Sequence, residues 1–114
     1  MSGPAVAEAA ARPAPFEIVV TAPGRLAVRG GLTFANARGA RSEGLHALRT
    51  SSAPGLEVDC SGIAHSDSAG LAVLLDWMAV MKREGRPLCF TKLPPGLLAL
   101  ARISGVEEML QKGV

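Results

Sequence analysis

Residues 65–70 read "HSDSAG", setting an imidazole, two hydroxyls and a carboxylate within six positions. Those side-chain types could serve nucleophilic catalysis, phosphoryl acceptance or the capping of a helix. A serine nucleophile at a strand-to-helix elbow needs the pattern G-x-S-x-G, because the turn is sharp enough to require glycine. Here Ser66 stands two residues before Ser68, so the pattern fails at its first position. A triad further needs a histidine on the nucleophile. His46 falls in a separate helical segment and His65 is a loop neighbour of Ser68, with nothing to bring either onto its hydroxyl. "GRLAVRGG" lacks dinucleotide-binding spacing, and no phosphate-cradling glycine loop occurs. Two cysteines (Cys60, Cys89) and two separated histidines match no zinc spacing. The expectation is therefore a protein without catalytic residues, metal or cofactor.

The position of the stretch suggests a different role. It lies between a strand and the start of the longest helix, where Asp67 or Ser68 can accept a hydrogen bond from an unpaired helix N–H. A phosphate on Ser68 would bring a charge of about −1.5 to −2. The free N–H groups and dipole of the helix start would partly offset that charge. Such a modification need not unfold the domain and would make a small surface strongly acidic beside Asp67.

The elements that must hold this stretch follow from periodicity. "FEIVVTA" and "RLAVRG" alternate with strand period, and the Pro23-Gly24 pair between them signals a type II turn. "GGLTFANARGARSEGLHALRTSS" carries Phe34, Ala37, Ala40, Leu45 and Leu48 at helical spacing, with Thr33 as N-cap and Gly39 and Gly44 as weak points. "LEVDCSG" is a strand, "SAGLAVLLDWMAVMKREG" a helix closed by Gly85, and "RPLCFTKL" a strand with Leu88 and Phe90 inward. "PPGLLALARISGVEEMLQKGV" reads as a helix opened by proline, broken at Ser104-Gly105 and resumed briefly. The order is β-β-α-β-α-β-α-α, an α/β arrangement with a mixed four- or five-stranded sheet. Buried parallel strands run continuously apolar. These alternate, so the helices should cover mainly one face. By the same parity Cys60 and Cys89 should point to opposite faces, which argues against a disulfide between them.

From Leu71 to Met81 only Asp76 is polar, more apolar surface than one sheet face needs. Two arrangements accommodate it: burial between neighbouring elements, or an apolar patch centred on Trp77 or Met81 that another protein covers. Leu74 lies on the same side as these two.

With 114 residues, 48% hydrophobic and 19% charged, the chain can form a core. A net charge of +2, one Trp and no Tyr leave neither the basic stripe nor the stacking rings of a nucleic-acid binder. No apolar run reaches the roughly 18 residues of a membrane span. The opening "MSGPAVAEAAARPAP" lacks a basic start and a Leu-rich centre, so it does not read as a signal peptide. Residues 1–14 are expected to form a disordered Ala/Pro-rich tail and residues 15–114 the folded domain.

"LEVDCSGIAHSDSAGLAVLLDWM" and "REGRPLCFTKLPPGLLALARISGVEEML" together resemble the STAS domain family (sulfate transporter and anti-sigma factor antagonist). The shared signature is a strand carrying Asp59, a loop, and D-[ST]-x-G opening a helix, here Asp67-Ser68-Ala69-Gly70. The resemblance covers about residues 16–111, more loosely in the first half. "SAGLAVLLDWM" and the ending look most like stand-alone MlaB-type bacterial proteins, which accompany an ABC-transporter ATPase in phospholipid transport and maintenance of lipid asymmetry. That likeness implies a cytoplasmic regulatory subunit, membrane-associated only through a transporter complex. The likeness puts Ser68 at the partner surface, and the helix start and the apolar patch add Asp67, Ala69, Leu74, Trp77 and Met81 as expected contacts. The other branch, the anti-sigma factor antagonists, implies instead a Ser-kinase partner and Ser68 as phosphoacceptor. Both branches carry the motif.

Overall fold

The alternation in the first third folds as a hairpin. Strands β1 (Glu17–Ala22) and β2 (Arg25–Leu32) pair antiparallel, with Ile18 opposite Val28 and Val20 opposite Leu26. Their turn is Pro23-Gly24, where proline presets its own φ and Gly24 takes φ 74°. A Cβ at Gly24 would also lie 2.7 Å from the Gly55 carbonyl oxygen. The computed structural model describes residues 15–113; the tail expected over residues 1–14 lies outside them.

Helix α1 (Ala37–Thr50) leads to β3 (Leu56–Ser66), α2 (Ser68–Arg83) to β4 (Leu88–Thr91), and α3 (Pro95–Ile103) and α4 (Glu107–Lys112) follow. The element order is the one read from the sequence. The sheet has four strands in the order β1-β2-β3-β4, with β2-β3 and β3-β4 parallel. One parity of the strands, including Leu26, Val28, Leu56, Val58, Leu88 and Phe90, is buried beneath the helices. The other parity presents Arg29, Glu57, Asp59 and Thr91 towards the more open face. Both cysteines are free: Cys60 is buried in the core and Cys89 is half-buried on the opposite parity, beside Glu57. Burial pushes the Cys60 thiol up to about 12.

Helices α2 and α3 end alike. Gly85 (φ 74°) and Gly105 (φ 73°) are left-handed, and the N–H groups of each glycine and its successor return to the last helical turn. Arg86, the successor of Gly85, donates from its guanidinium to the carbonyls of Leu48 (3.1 Å), Ser51 (2.5 Å) and Ala53 (2.7 Å), fixing the α1–β3 loop.

Four sequence expectations are corrected. First, α1 begins at Ala37 rather than after Thr33. Asn36 accounts for the delay: its Oδ1 accepts the Thr33 N–H at 2.9 Å and its Nδ2 donates to the Gly31 carbonyl at 2.8 Å. Thr33–Asn36 is therefore a bound loop, and Phe34 projects from it instead of lining a helix. Second, Gly44 is a requirement and not a weakness. A Cβ there would lie 2.1 Å from the Trp77 ring. The close approach of α1 to α2 lets the Trp77 indole N–H donate to the Arg41 carbonyl at 3.1 Å.

Third, β3 continues to Ser66, so His65 belongs to a strand end and not to a loop. Fourth, Leu74, Trp77 and Met81 are each 0% exposed and form no docking patch. Helix α2 is apolar nearly all round because the sheet, α1, α3 and α4 together cover most of it. Trp77 packs with Phe16, their ring centres 6.1 Å apart.

Candidate functional site

Each position of the D-S-A-G motif has its own physical reason. Asp67 is extended (φ −142°, ψ −170°) and occupies the N-cap of α2. Its Oδ1 accepts the N–H groups of Ala69 (2.9 Å) and Gly70 (3.1 Å), while Oδ2 accepts the Phe34 N–H at 3.1 Å. These backbone donors, Phe34 first, hold the Asp67 carboxyl below the usual carboxylate range against a smaller opposing effect of burial. Asp67 is thus an acceptor for backbone hydrogens and a poor proton relay. Ser68 is the first helical residue and its side chain is exposed. Ala69 is half-buried, and Gly70 is buried with no room for a side chain: a Cβ would lie 2.2 Å from the Leu32 carbonyl oxygen. Glycine is needed where the helix start presses on the end of β2.

The same carboxylate therefore joins two segments, the α2 start and the loop after β2. What that loop carries is Phe34, 85% exposed although its backbone N–H is held. An exposed aromatic ring on a held backbone thus stands near an exposed serine. From this end a groove of about 720 Å³ runs between the two helices. Ala37 forms its α1 wall, and Ala69, Ala72 and Ala79 its α2 wall. Arg38, Arg41 and Asp76 stand along it. Arg41 pairs with Asp76.

Of the six residues expected at a partner surface, the fold brings Asp67, Ser68 and Ala69 together and withdraws Leu74, Trp77 and Met81 into the core. Phe34 and Arg38, not among the six, are exposed near them. Phe34 escapes sequence reasoning because its spacing from Ala37 and Ala40 matches a helical stripe. The available signal is Asn36, a residue that favours caps and turns. His46 and His65 are both exposed, and among the described residues no group of three His, Cys, Asp or Glu could hold a metal ion. No helix among the described residues is long and apolar enough to cross a membrane.

The four-stranded sheet with its capped motif helix is the fold of the anti-sigma factor antagonist SpoIIAA in its unphosphorylated form. The two superpose with a TM-score of 0.64 at 16% sequence identity, over 82% of this chain and 84% of that one. A similar superposition (TM-score 0.57, 20% identity) reaches the murine Solute Carrier 26 family member A9 anion transporter in its inward-facing state. It covers 76% of this chain but only 15% of the transporter. No curated protein sequence matches the chain. A family model described as "Mlab, STAS domain" matches residues 19–111. The chain belongs to the STAS domain family, on the MlaB-type model of that family. STAS domains are protein-interaction modules, generally without catalysis of their own.

Proposed function

We propose that the chain is the regulatory STAS subunit of a phospholipid-trafficking ABC transporter, binding its ATPase on the cytoplasmic side and contributing to lipid asymmetry. The docking face consists of Phe34, Ser68 and Ala69, with Asp67 as the residue that positions them. The observation that carries this reading is Phe34, 85% exposed and fixed through its N–H to the motif carboxylate. The match to the MlaB-type family model over residues 19–111 supports the choice of partner.

The test is a tagged pull-down of the full chain from its own cytoplasm, followed by titration of the captured ATPase. Near-stoichiometric ABC ATPase is expected. Phe34→Ala should weaken its binding about tenfold or more, as a truncated interface anchor does. Ser68→Asp should fold normally, since its charge sits at a helix N-terminus, and should also weaken binding. Unchanged affinity in both variants would remove this face from the interface.

A second reading, an anti-sigma factor antagonist switched at Ser68, is favoured by the exposed hydroxyl at the first position of α2. Under that reading, incubation with the cognate anti-sigma Ser kinase and ATP labels Ser68, and the pull-down returns the kinase instead of a transporter ATPase.

A further inference from the structure

The groove between α1 and α2 has a shape and a charge that select the element able to fill it. On α2 its wall is Ala69, Ala72, Asp76 and Ala79, spaced as one helical stripe. The eleven residues from Ala69 to Ala79 span about 15 Å, roughly three turns. Small side chains along such a stripe let a third helix approach to the usual 8–10 Å between packed axes. The walls are helical, so their backbone groups are already paired within α1 and α2. An extended segment laid there would find no ladder to join and would leave its own amides unpaired, whereas a helix brings its hydrogen bonds with it.

Charge narrows the occupant further. Arg38 stands on the α1 wall with no ion-pair partner among the described residues. Arg41 is paired with Asp76, the one carboxylate among the described residues that line the groove, and neither α1 nor α2 has an acidic residue in its first turn. Further down α2, Lys82 borders an adjoining apolar hollow with Leu75 and Ala79.

We propose that this groove receives an amphipathic helix of a partner protein, its small and aliphatic side chains on the alanine stripe and its carboxylates towards Arg38. The inference rests on the docking reading above and specifies the partner's contacting element. Phe34 then marks the end of the groove at which that helix enters.

Two synthetic peptides of about 18 residues, roughly five helical turns, test it. Both carry the same Leu/Ala stripe, flanked by Glu in one and by Lys in the other. Binding to the full chain is read by fluorescence anisotropy, and the site by amide shifts. The acidic peptide should bind about tenfold or more tightly than the basic one, lose affinity with added salt, and shift the amides of Ala69, Ala72 and Ala79. Arg38→Glu should reverse the preference. Ala72→Leu, at an exposed position, should block both peptides without unfolding the chain. Equal binding of the two peptides, a preference unmoved by Arg38→Glu, shifts elsewhere, or no binding of either would overturn the proposal. If the peptides fail while Phe34→Ala still weakens the ATPase, the docking face stands and the helical occupant falls. If the acidic peptide binds and no ATPase is captured, the reverse holds.

Discussion

Asp67 satisfies three backbone donors with one carboxylate, two on its own helix and one on the Phe34 loop. A cap of this kind contributes about 0.5–2 kcal/mol, so Asp67→Ala should lower stability within that range and free the Phe34 loop. Denaturant titration measures the first effect and partner affinity the second. Because the folded carboxyl titrates below its ordinary value near 3.9, its stabilisation is complete above about pH 4. It is lost as pH falls through the depressed folded value. The group is well solvated, so the acid limb will be shallow. Asp67→Asn should flatten it, and an unaltered acid limb in that variant would show that Asp67 does not cause it. That "HSDSAG" caps a helix was legible from the stretch alone, with Asp67 and Ser68 as alternatives; the structure gives the role to Asp67. The bond to Phe34 was not, because 33 residues separate the partners and only the parallel β2–β3 pairing brings them together.

At the scale of elements, two glycines of α1 look alike in sequence and differ in what surrounds them. A Cβ on Gly39 would meet nothing within 4 Å, whereas one on Gly44 would lie 2.1 Å from the Trp77 ring. Gly39→Ala should therefore stabilise the protein by about 0.4–1 kcal/mol through lower unfolded-state freedom. Gly44→Ala should destabilise it by about 1–3 kcal/mol or more, by forcing α1 off α2. Melting temperatures that moved in the same direction would contradict the helix contact described here. The comparison also shows where sequence reading stops. Helix propensity penalises both glycines equally, and only the tertiary position of Trp77 separates them. Periodicity likewise located α2 and its end at Gly85, but an almost continuous apolar circumference states how many sides are covered without stating by what. The covering elements are α1, α3 and α4 of the same chain, so Leu74, Trp77 and Met81 are core residues.

For the whole molecule, the division of labour runs along the strands. The docking features gather where β2 and β3 end, while at the other end of α1 and α2 Arg86 clamps three carbonyls and Gly85 closes the helix. Between the two ends lies one continuous cluster containing both Trp77 and Cys60. A partner can then bind at one end without remodelling the core, and the core should unfold as a unit. Trp77 emission and Cys60 labelling test this together. Cys60 is wholly buried with its thiol pushed up to about 12, so a thiol reagent near pH 8 should reach it only through global unfolding. Cys89, half-buried on the more open sheet face, should label first. In urea, the red shift of Trp77 and the exposure of Cys60 should share one midpoint, and Phe34→Ala should leave that midpoint in place while weakening the partner. Separate midpoints would mean that the α1–α2 layer opens independently of the sheet, and docking at Phe34 and Ser68 would then act on a mobile layer rather than on a rigid face.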